Sequence, residues 1–301
     1  MLIKLYISNF LSFNQKQIFS MESGKARKNI KRIYQDKNIK LTKCEAIFGA
    51  NASGKSNLVE AFQFIQNMVV EGLPKGFTNK YFRQNPNNQI LPSEFEIEIL
   101  LGTQKVVYGF SIILKTGSVQ REYLYEVSAS GSKKEIYNRN LIEGSFSVGE
   151  YFRNKNSIEK LIIYGEDSVS DTELLFLTIM NHGKAKLYED NNELIVLRRL
   201  YRWFRNLLTV SNPDSILTGY PYFSHSNLNE IANLLNALGT GISDLRIVEV
   251  PAEIIKNKIP DDLYSKIIAD LEKERAKNRT NNPAIMLRSY KEFYTFELDD
   301  S

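Results

Sequence analysis

Residues 2–8, Leu-Ile-Lys-Leu-Tyr-Ile-Ser, alternate apolar and polar side chains with the period of two that a half-buried strand requires. The same reasoning predicts a second strand at about residues 15–21. The short apolar run Ala46-Ile47-Phe48 predicts a third, fully buried one. Leu58, Val59, Phe62, Ile65 and Met68 then recur at helical spacing, which predicts an amphipathic helix starting near Lys55. Three further alternating segments run from Ser93 to Val127, joined by turns at Gly102-Thr103 and Thr116-Gly117. They predict an antiparallel meander with one wet face, Phe95, Ile97 and Ile99 pointing in and Glu94, Glu96 and Glu98 out. Beyond about residue 155 the period changes, and Leu174–Met180, Glu193–Leu208, Asn227–Leu238 and Asp261–Lys277 predict helices. Ser224 and Ser226 are candidate caps for the third of these, and Pro260 precedes the fourth. The expected layout is an α/β chain with a β-rich lobe over 1–150 and a helical lobe over 151–301.

Between the apolar run and the helix lies Gly49-Ala50-Asn51-Ala52-Ser53-Gly54-Lys55-Ser56, which fits the spacing G-x-x-x-x-G-K-[ST]. A strand–loop–helix setting is what gives that spacing its meaning. Glycines at 49 and 54 permit backbone conformations that a Cβ forbids, so successive N–H groups can converge on an anion. The helix N-terminus adds free donors and the positive end of its dipole. Lys55 is the candidate catalytic residue, reaching the β- and γ-phosphates, and the Ser56 hydroxyl is the candidate Mg²⁺ ligand. The expected ligands are therefore ATP and Mg²⁺, cradled by Gly49, Ala50, Asn51, Ala52, Ser53, Gly54, Lys55, Ser56 and Asn57.

Composition narrows the remaining classes. The chain has 301 residues, 43% of them hydrophobic and 25% charged, as in ordinary globular proteins. A single cysteine, Cys44, excludes an internal disulfide framework. No apolar run approaches the roughly 20 residues that span a bilayer. The opening "MLIKLYISNF" is too short and too alternating for a signal peptide, so a cytoplasmic location without membrane attachment is expected. The net charge is +4, yet eight basic residues between Lys25 and Lys43 face only Asp36, leaving the remainder acidic. Such a stretch can attract nucleic acid, and a solvated loop explains it equally well.

Several islands resemble one family. "YISNFLSFNQKQIFSM" resembles the opening strand pair of ABC-type ATPases of the SMC, RecF and OLD group, and "FGANASGKSNLVEAF" resembles that group's phosphate loop. "ELLFLTIMNHG", "LRRLYRWFRNLLTVSNPDS" and "NLLNALGTGISDLRI" are similar to helical-lobe segments of the OLD-like branch, often found in phage defence. The resemblance implies an ABC-type lobe with an antiparallel meander and a helical lobe. It places Asn9, Ser12 and Phe13 near the base or ribose of the nucleotide, although a turn built on Asn9 and Ser12 with Phe13 in the core fits the same residues. "FYTFELDDS", residues 293–301, resembles the strand leading into the family signature motif, so the chain is expected to be truncated before the Walker B strand and to hydrolyse ATP weakly. The resemblance further implies a homodimer closed through the nucleotide, gating a DNA-directed or effector activity.

Other candidates are weaker. "KLIIYGEDSVSD" places Glu166 and Asp167 after an apolar run, but glycine stands where Walker B has aspartate, and a strand end or loop is the expected structure. Gln104 and Gln120 both lie where a Mg²⁺-sensing glutamine belongs, and spacing does not choose between them. His182 and His225 sit in polar contexts suited to surface positions. In "RRLYRWFR", a helix would align Arg198, Arg202 and Arg205 opposite Leu200, Trp203, Phe204 and Leu207. A non-hydrolysing nucleotide-sensing module is the alternative to an ATPase. A small-molecule kinase fits less well, because its phosphate loop usually continues into alternating parallel β-α units.

Overall fold

Alternation decides the main sheet. In a computed structural model, β1 (Leu2–Ser8), β2 (Gln17–Ser20), β5 (Ser93–Leu101), β6 (Gln104–Ile113), β7 (Ser118–Val127), β8 (Lys133–Asn140) and β9 (Ser145–Val148) form one sheet. Their order is β2-β1-β5-β6-β7-β8-β9, antiparallel throughout. The structure describes residues 1–24, 30–36, 39–128, 130–188, 192–211, 217–218, 228–241, 244, 261–262, 264–266, 268–269, 284–289 and 292–297. It forms two compact units, Met1–Val210 and Ser211–Ser301.

In the first unit the inward face of the sheet packs on α1 (Lys55–Val70). Phe10, Phe64, Phe95 and Phe110 form the centre of that core, with ring centroids 5.0–5.4 Å apart for the Phe10–Phe64, Phe64–Phe95 and Phe95–Phe110 pairs. The meander follows the expected alternation: Phe95, Ile97 and Ile99 are buried while Glu94 is exposed and Glu96 and Glu98 are half-buried. The expected basic loop instead contains a hairpin of β3 (Ile33–Asp36) and β4 (Ile39–Thr42). Leu41, fully buried with Ile3 and Leu100, anchors it.

Helices α2 (Lys155–Ser168), α3 (Phe176–Asn181) and α4 (Ile195–Arg202) share the sheet's core through Leu161, Phe176, Leu177, Leu197 and Leu200. Residues of α3 and α4, with His182 at the end of α3, also cap the far end of α1, where carbonyls lack intrahelical partners. Thr178 Oγ1 donates to Val69 O at 2.7 Å, Tyr201 Oη donates to Val70 O at 3.3 Å, and His182 Nε2 lies 3.1 Å from the same oxygen.

Three expectations need correction. Ala46-Ile47-Phe48 forms no strand: no strand pairs with it among the described residues, so nothing encloses its apolar side chains, and Phe48 is 91% exposed. "KLIIYGEDSVSD" is mostly helix α2, capped by Asn154 through its side chain to the Asn156 N–H. The expected helix over Glu193–Leu208 changes character at Trp203, continuing as a π turn to Leu207. The wider turn rotates the later residues, which leaves Leu207 72% exposed rather than opposite the arginines. Gln66 of α1 donates to Phe204 O and Leu208 O, binding carbonyls beside that turn.

In the second unit, β10 (Leu217–Thr218), β11 (Ala284–Ser289) and β12 (Glu292–Glu297) pair antiparallel in that order. Helix α5 (Leu228–Ala237) matches the expected Asn227–Leu238. The described residues between 261 and 269 are helical, and 270–277 lie outside the described residues, as do Ser224, His225, Ser226 and Pro260.

The outward face of the sheet is a polar lattice. Tyr6 Oη donates to Glu98 at 3.0 Å and Tyr123 Oη to Glu96 at 2.6 Å, and Lys105 pairs with Glu98 at 2.8 Å. Burial and the Glu98 carboxylate push the Tyr6 hydroxyl up to about 12, from an ordinary 10.0. Burial and Glu96 likewise raise Tyr123. Below pH 10 both folded and unfolded chains keep these protons. Above it the unfolded chain ionises first, so stability falls as pH rises through 12. Urea melts between pH 9 and 12 should therefore show a declining midpoint, and Tyr6→Phe should reduce the slope. A flat profile would contradict the lattice.

Candidate functional site

The phosphate-loop residues occupy a connection that local sterics shape. Ala52 has φ 64° and Gly54 φ 92°, both left-handed. Alternating conformations of this kind turn successive N–H groups to one side. A Cβ on Gly49 would stand 2.6 Å from Ser53 Oγ, and one on Gly54 would stand 2.7 Å from Ser12 Oγ. A side chain at either position would require the serine hydroxyl to turn away, and at Gly54 the left-handed backbone adds strain of its own.

Helix α1 begins at Lys55, as its periodicity predicts, and its N-cap Gly54 has no side-chain cap. Most helices cover those donors with Ser, Thr, Asp or Asn. Here the first-turn amides face the loop without such a cap, a geometry that accepts an anion. Lys55 Nζ folds across the loop, donating to Gly49 O at 2.8 Å, Ala50 O at 2.7 Å and Ser53 Oγ at 3.4 Å. Ser53 N–H is bonded to Ala50 O at 3.2 Å. The Ser56 side chain is exposed on the first turn, where a hydroxyl could join a cation to a bound phosphate.

Ser12 meets this loop directly, because Asn57 Nδ2 donates to its Oγ at 2.8 Å. Phe13 is half-buried and packs against the core. Asn9 is 5% exposed, with Nδ2 donating to Asn88 O at 2.8 Å and Leu91 O at 3.0 Å and Oδ1 accepting from the Phe82 N–H at 3.1 Å. Its polar atoms hold the turn together. Asn9 and Leu11 both adopt positive φ, 50° and 51°. The glutamines are likewise engaged: Gln104 donates to Glu126 and Tyr151, and Gln120 to the carbonyls of Ser118 and Val119.

The remaining candidates stand apart in role. Glu166 and Asp167 are exposed on the last turn of α2. Arg198 lies over the Tyr188 ring at 5.2 Å, while Arg202 and Arg205 are exposed. Sequence reasoning missed the segment Asn79–Gln84, which with Leu11, Ser12 and Asn57 lines a cleft of about 580 Å³. Its residues carry no periodic or motif signal; only the fold brings them beside the loop. No helix among the described residues is long and apolar enough to cross a membrane.

Comparison with known proteins agrees with this geometry. The model of a family described as "AAA domain, putative AbiEii toxin, Type IV TA system" matches residues 46–209, more than half of the chain. That span takes in the loop, α1, the meander and α2 to α4. No curated protein matches. The match includes the glycine loop at the start of α1, and the chain belongs to this family of phosphate-loop AAA-type ATPase domains, described as of the putative AbiEii-toxin type.

Proposed function

We propose that this chain is the ATP-binding part of an ATPase of the OLD, RecF and SMC type. The observation that carries the binding reading is the N-terminus of α1, which has no side-chain cap and follows the left-handed Ala52 and Gly54. In this reading Gly49 to Asn57 hold the triphosphate, the Lys55 ammonium leaves its carbonyls to bridge the phosphates, and Ser56 with the phosphate oxygens holds Mg²⁺. Magnesium would supply charge neutralisation. Ser12 lies at the mouth of the loop and contacts the ligand, and Phe13 supports it from the core. Hydrolysis by this chain is weak, since the loop supplies cradle, lysine and one metal ligand, but phosphoryl transfer also needs a group that orients water.

Residues 1–150 bind the nucleotide in this reading, and residues 151–301 transmit its presence. ATP joins two subunits and thereby gates a DNA-directed or defence effector activity in the cytoplasm. Supporting assembly, Ile47 and Phe48 expose apolar side chains immediately before the loop, where a further chain segment could cover them. The matched family's description as a putative toxin of a type IV toxin–antitoxin system agrees with an effector role. One observation favours the alternative of a non-hydrolysing nucleotide sensor: the opposite end of α1 is held by Thr178 and Tyr201, so ordering the loop can reach α3 and α4 without any bond being broken.

Calorimetric titration with ATP·Mg²⁺ tests the binding step. Lys55→Ala should weaken affinity at least tenfold, about 1.4 kcal/mol. Equal affinities in the parent and the variant would overturn the assignment.

A further inference from the structure

We propose that the end of α4 is a two-register switch set by Gln66 of α1. The chain after Trp203 winds either as the π turn or as a regular α-helical turn, and Gln66 holds the first. The helix that carries Gln66 begins at the glycine loop, so the register answers to what the loop binds; this last step rests on the phosphate-loop reading.

Two hydrogen-bond patterns compete for one carbonyl. In the π turn Trp203–Leu207, the Leu208 N–H donates to Trp203 O at 2.8 Å. A regular α-helix would send that N–H to Phe204 O, four residues back. Gln66 Nε2 occupies Phe204 O instead, at 2.8 Å, and gives its second hydrogen to Leu208 O at 2.6 Å. The Gln66 amide therefore takes the acceptor that the α register needs.

Apolar burial pulls the other way. Leu200, Trp203, Phe204 and Leu207 stand at i, i+3, i+4 and i+7, one face of a regular helix. The first three are buried, yet Leu207 is 72% exposed. Rewinding to the α register returns Leu207 to that face, one turn beyond Trp203. Covering one leucine and keeping two hydrogen bonds are worth comparable free energies, so neither register dominates by a wide margin. Little else resists the change. Arg205, Asn206 and Thr209 are exposed, whereas Phe204 stays anchored against Tyr108, ring centroids 5.8 Å apart. Single π turns within α-helices occur frequently at functional sites.

The link to the loop is one rigid element. Helix α1 runs unbroken from Lys55 to Val70, and Gln66 lies about 16 Å along it from Lys55. Its last turn is tied to α3 and α4 by Thr178 and Tyr201, so a displacement of the first turn reaches Gln66 as a tilt against Phe204 O and Leu208 O. Hydrogen bonds weaken steeply as their angle closes, and a modest tilt releases them.

Methyl NMR of the leucine-labelled full chain tests the switch, with the Leu207 signal assigned by Leu207→Met. The single tryptophan of the chain is Trp203, whose ring current marks a methyl group stacked on it. Gln66→Met and Gln66→Ala both lack the amide donor, and in each the Leu207 methyls should move upfield as they close over the indole. Adding ATP·Mg²⁺ to the parent should displace the same signal along the line joining the two positions. The Gln66 variants, shown by calorimetry to bind ATP still, should lose that response. A Leu207 signal unmoved in both variants would overturn the two registers. A signal unmoved in a parent chain that binds ATP would overturn the coupling. If the parent binds no ATP, the phosphate-loop reading and the coupling fail together, while the Gln66 variants still decide the registers.

Discussion

Glu122→Ala is expected to leave most of the chain unfolded under conditions where the parent is folded. Glu122 is fully buried on β7, and its carboxylate is a hub. It accepts from Tyr108 Oη at 2.9 Å, Tyr137 Oη at 2.8 Å, the Leu177 N–H at 3.0 Å and the Phe176 N–H. Arg139, also fully buried, lies 3.5 Å away on β8. The Arg139 guanidinium donates to Leu174 O, Ser168 O and Asp171 O, while its Nε lacks a partner among the described residues. Removing one member of a buried pair costs about 3–5 kcal/mol, because the other charge is left uncompensated. Each orphaned hydroxyl or amide adds roughly 1–3 kcal/mol. A domain has about 5–15 kcal/mol in total, so the sum reaches the whole margin. Urea denaturation followed by circular dichroism checks this, and a loss under about 1 kcal/mol would show the hub to be dispensable. Glu122→Gln should lose less than Glu122→Ala, since its amide oxygen still offers the Tyr108 and Tyr137 hydroxyls an acceptor.

The same hub explains how the loop is positioned. Glu122 receives the first N–H groups of α3, where the helix dipole favours a carboxylate. Two residues on, Thr178 binds the last turn of α1. One continuous set of hydrogen bonds thus runs from the sheet through α3 to the C-terminal end of the helix whose N-terminus faces the phosphate loop.

These features differ in how far the residues announce them. The loop is legible because backbone geometry favours its residue types: Gly54 adopts φ 92°, and Gly49 lies close against the Ser53 hydroxyl. The meander is legible because one wet face imposes a period of two. Glu122 and Arg139 carry no such signal, since in "QREYLYEV" the aromatics at 123 and 125 suggest the inward face, whereas the structure buries Glu122 and Leu124. Ala46-Ile47-Phe48 reads as a buried strand from composition alone, but burial depends on neighbours that no local pattern records. "KLIIYGED" misleads in the opposite sense. Its β-branched Ile162 and Ile163 point outward from α2, and the buried face is Ser157, Leu161, Gly165 and Ser168. Those four are spaced at i, i+4, i+8 and i+11, a helical stripe hidden by its small residues.

Gly165 on that stripe sets two magnitudes against each other. A glycine inside a helix is worse than alanine by about 1 kcal/mol, so propensity alone makes Gly165→Ala stabilising. Sterics oppose it. A Cβ at 165 would stand 2.2 Å from Cδ1 and Cε1 of Phe146 and 2.4 Å from Cγ. These are ring atoms that must move together, and the ring is held 6.0 Å from Tyr137 and 4.8 Å from Phe176, centroid to centroid. Phe176 is fully buried beside the Glu122 hub, so a displaced Phe146 presses on the core rather than swinging into solvent. Overpacking a filled core costs typically 1–3 kcal/mol and sometimes more. The overlap here involves three ring atoms, which puts the cost at the upper end, and the net expectation is a loss of about 2 kcal/mol. Thermal melting should show Gly165→Ala less stable than the parent. Adding Phe146→Leu should restore stability beyond what Phe146→Leu does alone, a coupling of at least about 1 kcal/mol that two independent sites would not give. A melting temperature raised by Gly165→Ala would mean that α2 stands farther from β9 than this packing allows.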